Sequence, residues 1–128
     1  IVTPNIPEAA LLLGRRIDDH AAAESALSAL MDLGARAVLL KGGHLPGARM
    51  IDRLADGDER TRFEHDTLDL EGHGTGCTLA SAIAANLAQG RSLPDACARA
   101  TDYVHGALLH AYRPGRGAAA VLDHFWRT

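Results

Sequence analysis

The feature that most constrains the fold of this chain is a short apolar segment that directly follows an amphipathic helix. The segment Ala37-Val38-Leu39-Leu40 has no polar residue, which is typical of a strand buried in a parallel sheet. Upstream of it, small and apolar residues recur at helical spacing, and Gly34 is expected to end that helix. The stripe comprises Ala23, Ala26, Leu27, Leu30 and Leu33. A helix, a glycine and a buried strand in this order predict an α/β fold.

The rest of the chain predicts further helices and strands around this unit. The turn Asp56-Gly57-Asp58-Glu59 is a hairpin signal between two alternating segments. Ser92 is expected to cap a long helix. The other predicted elements are a helix through residues 11–13, strands over 49–54 and 60–65, and helices over 77–88, 92–110 and 118–126.

Composition limits the kind of protein and the partners that it can have. Hydrophobic residues make up 47% and charged residues 23% of the 128 residues, which is typical of one folded globular domain. No apolar stretch approaches the roughly 20 residues that cross a bilayer, so no membrane partner is expected. The net charge of −3 argues against a surface that binds nucleic acid. Two cysteines are too few for a disulfide framework, so we expect reduced thiols and a cytoplasmic location.

A glycine-rich turn over residues 72–76 precedes a helix that is predicted to start at about Cys77. Glycines let successive backbone N–H groups face one point, and the helix dipole adds positive potential there, so the turn is predicted to bind a phosphate or an oxyanion. The alternative is a tight loop without a ligand. A helix N-terminus also favours the thiolate of Cys77. Cys97 lies among alanines in the middle of a helix and is expected to be a small buried residue.

Four further residues suit phosphate chemistry. Lys41 is the only lysine of the chain, and it follows the buried strand beside two glycines, so it is predicted to contact a phosphate. Its alternative is a solvated loop lysine. Asn5 and Glu8 place an amide and a carboxylate where they suit a hydrated Mg²⁺, although a helix dipole alone would also favour Glu8. Asp52 is either a functional carboxylate or an outward-facing strand residue.

These features together are the parts of a phosphoryl-transfer site. They are an anion-binding helix start, a lysine, a carboxylate suited to magnesium and a reactive thiol. The Gly-x-x-x-x-Gly-Lys-Ser/Thr loop does not occur in the sequence, which excludes a P-loop protein.

Three segments carry a more specific signal. They are Thr3-Pro4-Asn5 with Glu8, the stretch 34–44 that ends in Lys41-Gly42-Gly43-His44, and His73-Gly74-Thr75-Gly76-Cys77-Thr78-Leu79. In these segments, and in Gly115-Arg116-Gly117 and His124-Phe125 near its end, the chain resembles the C-terminal half of a ribokinase-superfamily kinase. The resemblance is to the hydroxymethylpyrimidine (phosphate) kinases of thiamine biosynthesis and runs along essentially all 128 residues. It implies a three-layer α/β/α sandwich, of which residues 1–128 form the C-terminal, ATP-binding and catalytic portion.

The resemblance implies that the γ-phosphoryl group of ATP is transferred to hydroxymethylpyrimidine or its monophosphate, a small-molecule substrate. Gly74, Thr75 and Gly76 match the anion hole of the family. Cys77 stands where most of the superfamily has an aspartate base, and this kinase type has cysteine there. By that analogy Cys77 assists deprotonation of the substrate hydroxyl.

The resemblance also implies ATP and Mg²⁺ as cofactors. Lys41 is expected to contact the ATP phosphates, and the Asn-x-x-Glu motif is expected to organise Mg²⁺ and phosphate. The residues implied in nucleotide binding are Lys41, Asn5, Gly42, Asp52 and His73, with Glu8 for the metal.

The chain has no counterpart of the family's N-terminal half, which supplies most of the pyrimidine pocket. Its first residues, Ile1-Val2, carry no methionine and resemble the end of a strand, so we expect a piece of a longer protein. The missing half, or a second copy in a homo-oligomer, is the expected partner at the open sheet edge. Two alternatives remain, a pyridoxal kinase of the same cysteine-bearing subgroup and a catalytically silent domain that binds nucleotide or assembles with a partner.

Overall fold

The structure, a computed structural model, describes residues 1–70 and 72–128. It divides into two compact units, residues 1–67, called unit 1, and residues 68–128, called unit 2. Each unit combines helices with strands, which confirms the predicted α/β class. None of the helices over the described residues combines the length and the apolar character of a membrane-spanning helix.

Unit 1 pairs two helices with a three-stranded sheet. Its sheet has the order β1-β2-β3, and β2 is antiparallel to both neighbours. The predicted hairpin between the last two strands is confirmed. The elements of unit 1 are α1 Ile6–Leu13, α2 His20–Asp32, β1 Ala37–Leu40, β2 Arg49–Asp56 and β3 Glu59–Asp66.

All four residues of β1 are buried, as the continuous apolar segment predicts. The expected parallel pairing is correct on one side only. Val38 pairs with Val2 in parallel, whereas β2 runs antiparallel along the other side of β1. The loop between β1 and β2 has eight residues, 41–48, and a parallel crossover needs a dozen or more, so β2 has to return antiparallel.

The core of unit 1 lies where the two helices pack on the sheet. The helices contribute Ile6 and Ala9 from α1 and Ala23, Ala26, Leu27 and Leu30 from α2, and the sheet contributes Val38, Leu40 and Ala55. Leu33 was predicted on the same stripe, but it is 62% exposed because α2 ends at Asp32 and Leu33 is its C-cap.

Unit 2 is a pair of packed helices with two very short strands. The helix from Ser92 has the predicted cap, because the Ser92 hydroxyl accepts from the Asp95 N–H. The strands pair in parallel, with Gly72 opposite Ala120. The elements of unit 2 are β4 Gly72–His73, α3 Thr75–Ala88, α4 Leu93–Leu109 and β5 Ala120–Val121.

The helix predicted over residues 118–126 is wrong. Val121 pairs with β4 on one side, and on the other it exchanges two backbone hydrogen bonds with Tyr112, at 2.8 and 3.0 Å. Residues 124–127 then form a turn. The Trp126 ring packs on Gly106, where a Cβ would overlap it, and its indole N–H donates to the Tyr103 carbonyl oxygen. Strand pairing and this packing override the helix propensity of the alanines in the segment.

Candidate active site

Two of the candidate residues of unit 1 follow chain segments that run side by side in parallel. The Leu39 N–H donates to the Val2 carbonyl oxygen at 2.9 Å, and the Lys41 N–H donates to the Pro4 carbonyl oxygen at 3.0 Å. Asn5 and Lys41 therefore lie just past the carboxyl ends of two neighbouring parallel segments. In open α/β sheets, ligands bind outside the carboxyl ends of the strands.

Asn5 and Glu8 form a reciprocal capping box at the start of α1. The Asn5 Oδ1 accepts from the Glu8 N–H at 2.8 Å, and the Glu8 Oε2 accepts from the Asn5 N–H at 2.8 Å. Both side chains thus satisfy helix N–H groups that have no partner inside the helix. Glu8 is exposed, and its second carboxylate oxygen is not part of the box.

Asp52 is not an outward-facing strand residue, because only 4% of its surface is exposed. Its Oδ1 accepts from the Gly42 N–H at 2.8 Å, which joins it to the segment that follows Lys41. Burial raises the pKa of the Asp52 carboxyl above its usual value, and the Gly42 N–H and the charges of Lys41 and Arg53 oppose that rise. Lys41 itself is half-buried, and Gly42 is buried.

In unit 2 the glycine-rich segment leads directly into α3. Gly72 and His73 lie in β4, and Gly74 is the N-cap of α3 with φ 84° and ψ 10°, which is a left-handed conformation that suits glycine. The helix starts at Thr75, two residues before the predicted start. No side chain among the described residues caps it, which suits the first N–H groups of α3 to an anion.

Cys77 lies in the first turn of α3, is exposed, and lines an open cavity of about 600 Å³ within unit 2. Ser81 and Asn86 line it from the same helix, and Arg99 lines it from α4. Arg99 is paired with Asp95 at 3.1 Å, so the cavity is not a cluster of unpaired positive charge. Cys97 is fully buried in α4, which confirms its expected burial.

A charged network in unit 1 was not predicted from the sequence. Arg53 is 2% exposed and donates from Nε to Glu24 Oε1 at 2.8 Å, and Arg62 donates to the same oxygen at 2.6 Å. A second guanidinium nitrogen of Arg53 lies 3.0 Å from the His20 Nδ1. His20 and Glu24 lie one turn apart on α2, whereas Arg53 and Arg62 are cross-strand partners in β2 and β3, so the packing of α2 on this hairpin brings the two pairs together.

Comparison with known proteins identifies the family. The family described as phosphomethylpyrimidine kinase matches residues 1–122. The chain is 44% identical over 127 residues to the hydroxymethylpyrimidine/phosphomethylpyrimidine kinase of Streptomyces coelicolor, which covers 98% of this chain and 46% of that protein. It is 43% identical over 133 residues to the enzyme of the same name from Rhizobium meliloti, covering 99% and 50%. The chain thus spans about half the length of these relatives.

Solved structures show the same fold. Pyridoxal kinase from Staphylococcus aureus, in complex with AMP-PCP and pyridoxal, has a TM-score of 0.91 and 30% identity, covering 99% of this chain and 48% of that one. Phosphomethylpyrimidine kinase from Clostridium difficile has a TM-score of 0.67 and 31% identity, covering 81% and 41%. With the family match over residues 1–122, the chain belongs to the phosphomethylpyrimidine kinase family and has its ribokinase-like fold.

Proposed function

We propose that residues 1–128 are the nucleotide-binding and catalytic part of an ATP-dependent kinase of thiamine biosynthesis. Its substrate is hydroxymethylpyrimidine or its monophosphate. The observation that carries the proposal is an exposed cysteine in the first turn of a helix whose N-cap is left-handed Gly74. The relatives from S. coelicolor and R. meliloti, named for kinase action on this pyrimidine, support the choice of substrate.

The chemical step belongs to the start of α3. The substrate hydroxyl oxygen forms a bond to the γ-phosphorus of ATP while the bond from that phosphorus to the β,γ-bridging oxygen breaks, and ADP leaves. The thiolate of Cys77 accepts the hydroxyl proton as a general base. The N–H groups of Thr75, Gly76 and Cys77 donate to the oxygens of the transferred group, with Gly74 turning the chain so that they point outward.

ATP binding belongs to unit 1. The Lys41 ammonium supplies a compact positive charge for the ATP phosphates. Gly42 is buried, and because it has no side chain, the backbone that follows Lys41 passes close to β2. Asn5 follows the neighbouring carboxyl end and offers its amide group to the same phosphates. His73, exposed directly before Gly74, is a further nucleotide contact.

The residues of unit 1 fit a magnesium ion that is brought with the nucleotide. Mg²⁺ is usually held by one or two carboxylates together with waters and substrate phosphates. Glu8 is exposed and keeps one carboxylate oxygen outside the capping box. Among residues 1–70 and 72–128, no three histidine, cysteine or acidic side chains form a cage that could hold a metal by itself. Glu8 would therefore hold Mg²⁺ on ATP, where the ion neutralises phosphate charge.

The remaining half of the family fold is proposed as the partner, supplied by another segment, another chain or a second copy. Unit 1 presents an apolar surface beside Val2, with Leu11, Leu12 and Leu33 exposed by 85%, 59% and 62%. No strand of the described residues pairs with Val2 on the side away from β1. Proteins normally cover such an edge, and a contiguous apolar surface is typical of an interface.

A second candidate function is phosphorylation of pyridoxal. The pyridoxal kinase from S. aureus superposes on 99% of this chain with a TM-score of 0.91, higher than the 0.67 of the C. difficile pyrimidine kinase. The sequence relatives favour the pyrimidine instead. By the family resemblance, most of the acceptor pocket belongs to the half that this chain does not span, so the nucleotide side is expected to serve either substrate.

The test supplies hydroxymethylpyrimidine, its monophosphate and pyridoxal separately to the full-length gene product that contains these residues, called the native polypeptide below. Mg²⁺ and ATP are present, and the phosphorylated products are identified by mass. We expect phosphorylation of the pyrimidine compounds at a much higher kcat/KM than of pyridoxal. Preference for pyridoxal would establish the second candidate. ATP binding without any product would indicate the catalytically silent domain.

The intact mass of the purified protein comes before that assay. A mass near the 13.5 kDa of this chain would mean that the half stands alone, and a second copy would then be the partner to seek. A mass about twice as large would mean that the complementary half lies in the same polypeptide. The cytoplasmic location stays a prediction from the reduced thiols.

A further inference from the structure

β2 carries two consecutive charged residues that are both buried. Asp52 is 4% exposed and Arg53 is 2% exposed, although charged groups are rarely buried without partners. Successive residues of a strand face opposite sides of the sheet, so the two charges are buried on different faces. Arg53 has no part in the proposed reaction. Asp52 is too deeply buried to present its carboxylate to ATP, and its charge would repel a phosphate.

Asp52 is bonded to the backbone that follows Lys41. The Gly42 N–H donates to Asp52 Oδ1 at 2.8 Å, and the Lys41 N–H donates to the Pro4 carbonyl oxygen at 3.0 Å. These two N–H groups belong to the peptide planes on either side of the Lys41 Cα. Both planes are therefore fixed, one by the neighbouring segment and the other by a carboxylate, which is a stronger acceptor than a neutral oxygen.

Arg53 stabilises the part of β2 against which Gly42 packs. Its Nη1 donates to the Ile51 carbonyl oxygen at 3.2 Å, and that oxygen is the atom that a Cβ at position 42 would overlap. Arg53 is tied to α2 through Glu24 and through His20, whose Nδ1 has to accept because a guanidinium only donates. The Ile51 carbonyl group, against which Gly42 packs, is thus linked through Arg53 to α2.

We propose that Asp52 is a positioning residue whose carboxylate, acting through the Gly42 N–H, fixes the backbone that presents Lys41 to the ATP phosphates. This role rests on the proposed function, since it takes Lys41 as the phosphate contact. An anchored main chain leaves less conformational freedom to be lost when ATP binds. Without the acceptor, ATP binding weakens, while binding of the alcohol substrate and the proton transfer at Cys77 stay unchanged.

The test measures kcat and the KM values for ATP and for the alcohol substrate in variants of the native polypeptide. Asp52→Leu removes the acceptor and keeps a side chain branched at Cγ, and we expect the KM for ATP to rise about tenfold or more with the other constants within about twofold. Asp52→Asn keeps Oδ1 as an acceptor and is expected to restore the KM for ATP to within about threefold of the wild type. Asp56→Leu, the same change on the same strand, is the matched control.

A folded Asp52→Leu variant with the wild-type KM for ATP would overturn the proposal. So would an Asp52→Asn variant as impaired as the leucine variant, because that result would assign the effect to the charge instead of the acceptor. If the leucine variant does not fold, hydrogen exchange at the Gly42 amide decides. We expect protection in the wild type and in Asp52→Asn, and exchange at the rate of an unfolded chain would overturn the proposal. Absence of kinase activity in the wild type would overturn the proposed function and leave this exchange result unaffected.

Discussion

Gly42 in unit 1 and Gly74 in unit 2 are both candidate residues, and each has to be glycine for a different reason. At Gly42 a side chain has no room, because its Cβ would overlap the Ile51 carbonyl oxygen. At Gly74 a Cβ would meet nothing within 4 Å, but the backbone has φ 84°. One glycine is required by packing and the other by conformation.

The two units also differ in how they hold their candidate residues in place. Unit 1 fixes its candidate residues with buried charges, since Asp52 bonds the Gly42 N–H and Arg53 bonds the Ile51 carbonyl oxygen. Unit 2 uses backbone geometry, since α3 starts after left-handed Gly74 with no side-chain cap and Cys77 is exposed. Rigid packing suits a phosphate-binding segment, whereas a helix start for the chemical step has to leave its N–H groups unoccupied.

The largest effect on stability is expected at Gly42. Gly42→Ala forces the backbone away from the Ile51 carbonyl oxygen, and we expect the free energy of unfolding to fall by about 3 kcal/mol. Gly43→Ala is the matched control, because its Cβ would meet only the flexible Met50 side chain, with Sδ at 3.3 Å. Urea denaturation of both variants measures the difference. Equal losses in the two would show that packing does not require Gly42.

The next largest effect is expected at Glu24. Glu24→Gln leaves the buried Arg53 without its carboxylate, and we expect a loss of about 2 kcal/mol at neutral pH, discounted because Glu24 is 39% exposed. Burial raises the pKa of Glu24, but the hydrogen bonds and charges of Arg53 and Arg62 lower it below its usual 4.5. The stabilisation is therefore present above pH 4.5 and lost as the pH falls through the lowered folded pKa.

The control for Glu24 is Asp32→Asn, the same kind of change at an exposed position of α2. We expect that variant to change stability by no more than about 0.5 kcal/mol. Denaturation of the wild type and both variants at several pH values separates the two positions. A Glu24→Gln variant whose deficit does not shrink in acid would contradict the ion-pair explanation.

A smaller effect is expected at Gly74. Gly74→Ala places a Cβ in open space but keeps a left-handed backbone, and we expect a loss of about 1 kcal/mol. Gly115→Ala also has nothing within 4 Å and has no positive φ, so it is expected to be neutral. Thermal unfolding of the two variants tests the comparison. If Gly74→Ala costs as much as Gly42→Ala, the distinction between conformation and packing is wrong.

The smallest effect is a change in the pH dependence of stability at Asp52. Burial raises the folded pKa above the usual 3.8, so the folded state binds a proton more tightly than the unfolded state. The free energy of unfolding consequently falls as the pH rises from 3.8 towards the raised folded pKa. Asp52→Asn has no carboxyl to ionise, so we expect it to lose this slope. A slope that persists in the asparagine variant would show that another group causes it.

The residues that sequence patterns locate well are those whose role is local. The cap at Ser92, the burial of β1 and the helix that carries Cys77 follow from neighbouring residues and were predicted. The capping box of Asn5 and Glu8 is also local, yet neither of its hydrogen bonds was predicted, since only a magnesium site and the helix dipole were considered.

The rest depends on contacts between distant segments. Glu24 and Arg53 are 29 residues apart in the sequence. Val121 pairs with Tyr112, so a strand lies where a helix was predicted. The burial of Asp52 follows from the path of the chain after Lys41, which the sequence pattern alone does not contain. Local patterns therefore located the candidate residues, whereas only the packing of the fold shows how those in unit 1 are fixed.

The most direct test of the account compares Lys41→Ala with Cys77→Ala in the native polypeptide. The measurement is the single-turnover rate constant of γ-phosphoryl transfer to hydroxymethylpyrimidine phosphate at saturating ATP, together with the Kd for ATP. We expect Cys77→Ala to lower the rate constant by about 100-fold or more with the Kd for ATP within about twofold, and Cys97→Ala to change neither. We expect Lys41→Ala to raise the Kd for ATP by about tenfold. A Cys77→Ala variant that transfers phosphate at the wild-type rate would contradict the account.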